Sequence, residues 1–232
     1  MKKNFLNLLV SRKLFFRIIF SLLLITVLSL IFIGRTFITV PSNTYHPFWL
    51  NVFFINYTFM GNGLFVICIA ALFIFRYKRK QQGITLLYGF LLSDFIVQLL
   101  KNIHSLAHPT IYLEQGQNLF FSYNNSLSAH NSFISGHTAT AFTLATVMML
   151  VLNNSKWQLP LLIAALLLGY SRMYLAQNDL SEIMIAGMVG TVSGIAAVYS
   201  TFYFKGVGYY LKKIFNLHNN GAISEERNIQ SI

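Results

Sequence analysis

The chain has 232 residues, of which 55% are hydrophobic and 10% are charged, far below the ~25% charged residues usual in a soluble domain. Its formal charge of +11 invites either nucleic acid or anionic lipid as a partner. The Lys and Arg residues flank apolar runs and build no soluble basic domain, so the composition excludes a soluble nucleic-acid binder and points to a polytopic membrane protein.

A helix needs about 20 mostly apolar residues to cross the hydrocarbon layer. The sequence predicts six such spans, an all-α transmembrane bundle, at roughly 14–34, 49–75, 84–101, 132–152, 158–176 and 183–204. The first follows Lys2, Lys3, Arg12 and Lys13, which resembles the basic start of a signal peptide. Its apolar run is too long for a signal core and no small-x-small cleavage site follows, so it reads as a retained span. The second contains Cys68, the only cysteine. A lone cysteine forms no intrachain disulfide and no Cys-based metal motif, and Cys68 is expected to be a small buried core residue. The third carries Asp94 within it and Lys101 at its end. The connection 102–131 mixes polar residues with Phe120, Phe121 and Tyr123 and reads as an interfacial loop or a lid. After the sixth span, 209–215 reads as an amphipathic stretch on the inner leaflet, followed by a polar, disordered tail. The expected organisation is a cytoplasmic N-terminus (1–13), a membrane domain (14–204) and a cytoplasmic tail (205–232).

Charge fixes the expected orientation. With the N-terminus inside, the cytoplasmic segments, together with Arg17 at the inner edge of the first span, hold 14 of the 17 Lys and Arg residues. The block Arg76-Tyr77-Lys78-Arg79-Lys80 is the strongest single marker. Only Arg35, Lys101 and Arg172 fall on the opposite side. The general character of the chain suggests a bacterial inner membrane, with the site below on the periplasmic face.

Three short segments at that outer side can carry chemistry. Lys101 alone is a snorkelling anchor or an anion ligand; His108, seven residues on, is a loop histidine or its neighbour in a site. Ser135-Gly136-His137 opens the fourth span, where a helix N-terminus offers unpaired N–H groups to a phosphate. Gly lets an anion approach the backbone, Ser adds a donor, and His can donate a proton; the competing reading is helix packing through small residues. Ser171-Arg172 closes the fifth span, and Arg suits bidentate phosphate contact. Glu182, ten residues past the Arg, is placed to orient a neighbouring group. Asp94 lies about 10 Å from Lys101 along one helix face, and an intramembrane carboxylate is a candidate functional residue or the partner of a polar group in the bundle. A transporter would spread charge along the bundle interior, whereas only Asp94 is clearly mid-span.

Together these segments resemble the type 2 phosphatidic acid phosphatase family, the integral-membrane branch of the superfamily that includes vanadium haloperoxidases. The family signature is K-x-x-x-x-x-x-R-P, then P-S-G-H, then S-R-x-x-x-x-x-H-x-x-x-D. Here the first segment runs from Lys101 to His108-Pro109, the second is Ile134-Ser135-Gly136-His137, and the third is Ser171-Arg172, Asn178 and Glu182. The resemblance covers roughly residues 84–200. It implies a six-span fold in which Lys101, Arg172, Ser135 and the Gly136 backbone cradle a lipid phosphate, with His108 in place of the cradle's Arg. It also implies that His137 protonates the leaving alkoxide as general acid, that no metal or other cofactor is needed, and that the partners are the bilayer and a phosphorylated lipid.

The chain departs from the pattern where the family forms its phosphohistidine. Asn178 stands in the nucleophile position, and its amide nitrogen has no free lone pair for attack. Glu182 stands in place of the orienting Asp but has no imidazole to orient. His108 is cationic only near or below a pKa of about 6.5. Substitute routes are an acyl phosphate at Asp179, attack by His104, His108 or His130, or a water held by Asn178 with Glu182 as base. The alternative is a catalytically inactive member that binds a lipid phosphate or supports a partner.

Overall fold

The computed structural model describes residues 2–32, 47–103, 134–152, 155–175 and 177–201. Among these the chain is helical: α1 (Lys2–Ser11), α2 (Lys13–Phe32), α3 (Phe48–Thr58), α4 (Gly63–Ala71), α5 (Lys80–Ile103), α6 (Gly136–Val151), α7 (Gln158–Tyr174) and α8 (Leu180–Thr201). Single 3-10 turns lie at Phe59–Gly61 and Ser155–Trp157, and a π turn at Leu72–Arg76. His104, His108, His130, Arg35 and the segments 104–133 and 202–232 lie outside the described residues, as do the readings that rest on them.

The bundle is built around α6. Eleven of its sixteen residues are buried, which marks a helix enclosed on all sides rather than one with a single apolar stripe. It packs extensively against α5 and α7. Thr143 is tolerated there because its hydroxyl bonds to the backbone: Thr143 Oγ1 donates to the carbonyls of Ala139 (2.8 Å) and Gly190 (3.1 Å). The last contact requires close approach of α8, and a Cβ at Gly190 would collide with the Ala139 carbonyl. At the opposite end of α6 from Ser135, buried Arg12 reaches from the α1–α2 turn and donates to the Leu152 carbonyl at 2.9 Å. That bond satisfies a helix-end acceptor and clasps the amino-terminal helices to the core.

The outward surface is apolar. Phe20, Trp49, Phe75, Leu91, Phe95, Ile163 and Val192 are all exposed, a distribution that requires a hydrocarbon solvent. The protein is therefore an integral membrane protein. Among the described residues, two helices are long and apolar enough to span a bilayer, Lys80–Asn102 and Leu180–Thr201, or three if the bent pair α3–α4 is one span. Six were expected; α6 and α7, with 16 and 17 residues, fall at or below the usual lower length.

One sequence expectation is corrected here and one refined. The run 49–75, expected as a span, is bent: its halves Phe48–Gly61 and Gly63–Arg76 meet at 61°. Asn62 leaves the helix and caps α4 by accepting from the Leu64 N–H at 3.3 Å. Gly61 allows the break to sit against α6, because a Cβ there would lie 2.7 Å from the His137 carbonyl oxygen. Cys68, expected in the core, is exposed. Val66 and Ala70, one turn apart, form the buried face of α4, and Cys68 is on the other side of the helix.

Candidate functional site

The site lies where α6 begins and α7 ends. Ser135 is the N-cap of α6, with extended backbone, and its Oγ accepts from the Thr138 N–H (3.3 Å) and the Thr138 hydroxyl (2.9 Å). Both bonds use the oxygen as acceptor, which leaves the Ser135 proton to donate. At Gly136, the first helical residue, an added Cβ would meet no described atom within 4 Å. Open space therefore adjoins the unpaired N–H groups of the helix end.

The last turn of α7 presents Arg172 to the same place. Its neighbour Ser171 is fully buried and donates to the Leu168 carbonyl at 2.6 Å, while the Thr58 hydroxyl donates to Ser171 Oγ at 2.8 Å. Two further bonds fasten α3 to α7: Tyr174 to Asn51 Oδ1 at 2.7 Å and Tyr57 to the Ala164 carbonyl at 3.0 Å. Past α7 the chain folds back on itself, and the Arg172 carbonyl accepts from the N–H groups of both Gln177 (3.0 Å) and Asn178 (3.3 Å). That turn puts the Asn178 side chain beside the Arg172 guanidinium.

A hydrogen-bonded chain results. Arg172 Nε donates to Asn178 Oδ1 at 3.3 Å, and Asn178 Nδ2 donates to Glu182 Oε2 at 2.8 Å. A carboxamide suits this position because it offers an acceptor to the cation and a donor to the carboxylate. Glu182 and Asp179 also form a reciprocal capping box at the start of α8. Asp179 Oδ1 accepts from the Glu182 N–H (2.8 Å) and the Ser181 hydroxyl (2.6 Å), and Glu182 Oε2 accepts from the Asp179 N–H (3.2 Å). This box explains why α8 starts three residues before the expected boundary.

His137, on the first turn of α6, is within electrostatic reach of both Lys101 and Arg172, and Arg172 is within reach of Glu182. The structure thus gathers Lys101, Ser135, Gly136, His137, Arg172, Asn178 and Glu182 at one end of the bundle. Asp94 is not among them: it lies on an exposed side of α5. Among the described residues no group of three or more His, Cys, Asp or Glu side chains is placed to hold a metal ion. Sequence reasoning missed Thr58, Asn51 and Gly61. The signal for Thr58 and Gly61 was the polar interruption Asn56 to Gly63 in an otherwise apolar run.

Comparison with known proteins identifies the family. The PAP2 superfamily model matches residues 82–205. Dolichyldiphosphatase 1 of Rhinolophus ferrumequinum is 26% identical over 146 residues, covering 56% of this chain and 58% of that protein. The chain therefore spans somewhat more than half the length of that relative. The crystal structure of Aquifex aeolicus LpxE superposes with a TM-score of 0.60 at 28% identity, over 71% of this chain and 94% of the other. The chain belongs to the PAP2 superfamily, the type 2 phosphatidic acid phosphatases.

Proposed function

For this member of the PAP2 superfamily, we propose a lipid-phosphate phosphatase-like role at the periplasmic face of a bacterial inner membrane, on a phosphorylated or pyrophosphorylated lipid. The observation that carries the reading is the cluster of Lys101, His137 and Arg172 around the open N-terminus of α6. Two cations, a helix N-terminus and a hydroxyl proton together suit a phosphate dianion. In this reading Lys101, Ser135, Gly136 and Arg172 bind the phosphate, His108 adds to the cradle from the connecting loop, and His137 is the general acid. The relatives support a lipid carrier for that phosphate, since one is named a dolichyldiphosphatase. The reading takes the six apolar runs as spans and both termini as cytoplasmic, since that threading puts 14 of the 17 Lys and Arg residues inside.

Asn178 stands in the nucleophile position, and the phosphohistidine route is closed to it. One observation favours a second reading, a non-catalytic member that binds a lipid phosphate. Both ends of the Asn178 amide are already engaged, by Arg172 and by Glu182. Phosphate release from purified protein in detergent, over a panel of phosphatidic acid and polyprenyl pyrophosphate, separates the two. Release by the wild type that Arg172→Ala abolishes establishes an enzyme. Release only by Asn178→His establishes a binding protein that retains the cradle. Silence from both removes the phosphatase-type reading.

A further inference from the structure

Behind the proposed phosphate site lies an apolar cavity of about 150 Å³, in the elbow between the two halves of the bent span and the facing sides of α6 and α7. Its position follows from helix periodicity. On α6 the residues below His137 on the same face are Ala141, Ala145 and Met148; on α7 those below Arg172 are Leu168, Ala165 and Leu161. All six line the cavity. Its rim is therefore one helical turn, about 5.4 Å, below the two groups that would hold the phosphate. The elbow contributes Tyr57 and Met60 from one arm and Phe65 and Ile69 from the other, so the 61° bend opens the space.

Nothing in the lining suits water. Tyr57 is the one lining residue with a side-chain oxygen or nitrogen, and its hydroxyl is spent on the Ala164 carbonyl. A water held there would need two to four polar partners, which this partly open apolar pocket does not offer. The small side chains of Ala145 and Ala165, both almost fully buried, leave the slot its room.

We infer that this slot receives a single hydrocarbon chain past its first few carbons, the chain being the one attached to the phosphate bound above it. The inference rests on reading that end of the bundle as a phosphate site, and it makes the preferred ligand class a monoester of one long chain. Phosphate and tail then lie along one line. The head contacts His137 and Arg172, and the chain descends along the same faces of α6 and α7.

The test uses butyl and dodecyl phosphonate, which resist hydrolysis, binding to the full-length protein in detergent. The variants Ala145→Leu and Ala165→Leu fill the slot from opposite walls. Filling existing empty space preserves the fold, and an undiminished melting temperature verifies this for each variant. The wild type should bind the dodecyl compound more tightly than the butyl one. Each filling variant should cut that gain by about tenfold, the worth of roughly two buried methylenes, and leave butyl phosphonate affinity unchanged. Partition of the long chain into detergent is the same for every variant and cancels. A full chain-length gain in both variants overturns the slot and leaves the phosphate site standing. If neither phosphonate binds the wild type better than Arg172→Ala, the phosphate reading falls and takes the slot with it.

Discussion

Arg172 is tied to Asn178, its Nε donating to the amide oxygen at 3.3 Å, and the same amide donates to Glu182 at 2.8 Å. Asn178 is thus a connector between a cation and a carboxylate. Removing it takes one hydrogen bond from each neighbour. In Asn178→Ala the buried Glu182 carboxylate loses a donor and the guanidinium loses an anchor. Hydrogen bonds to charged groups are worth about 1.5–3 kcal/mol each, so the variant should melt several degrees lower in detergent and bind lipid phosphate at least about tenfold more weakly. Unchanged affinity would remove Asn178 from the ligand site.

Asp179 sits next in sequence to Asn178, but its carboxylate is engaged as the N-cap of α8. Asn caps a helix about as well as Asp, whereas Ala costs about 1 kcal/mol. Asp179→Asn should therefore keep stability and any phosphate release, and Asp179→Ala should lower the melting temperature. Loss of turnover in Asp179→Asn with unchanged melting is the result that would instead mark an acyl-phosphate carrier.

Much of the site could be read in the sequence because it depends on helix ends. Ser135-Gly136-His137 at the start of an apolar run and Ser171-Arg172 at the close of another put their groups at one end by periodicity alone. The six apolar runs gave an all-helical expectation for the same reason. What could not be read was anything set by one helix meeting another. The bend at Asn62 exists because the backbone at His137 passes within contact of Gly61, a long-range fact with no local signature beyond two glycines and an asparagine. Cys68 faced outward because Val66 and Ala70 had already claimed the inner face. In a bilayer, apolar residues on both faces look alike, so hydropathy carries no inside-outside signal there.

Thr58 shows how the bent span supports the site from a distance. Its hydroxyl donates to Ser171, the residue before Arg172. Thr58→Val keeps the shape and removes that donor, leaving a buried oxygen with one bond fewer at a cost of about 1 kcal/mol. The last turn of α7 should loosen, and lipid-phosphate affinity should fall by roughly two- to fivefold. Thr58→Ser, which retains the donor, should restore it. Equal loss in both variants would show that Thr58 acts through packing alone.

Gly61 and Gly136 lie close to the same histidine but have opposite reasons to be glycine. At Gly61 a Cβ would stand 2.7 Å from the His137 carbonyl oxygen and 2.9 Å from its Cβ. The contact is with backbone, so neither partner can rotate away. Gly61→Ala should cost about 1–3 kcal/mol as overpacking, displace the start of α6 and lower melting temperature and ligand affinity together. At Gly136 the same methyl meets no described atom within 4 Å, so Gly136→Ala should leave stability within about 0.5 kcal/mol. The methyl would nevertheless stand where an anion approaches the helix N-terminus. Losing one charge-assisted bond to the backbone should weaken lipid-phosphate binding by about tenfold or more. Melting curves and binding isotherms on the two variants check both halves. A Gly136→Ala protein that binds as tightly as the wild type would mean that the phosphate does not use the end of α6.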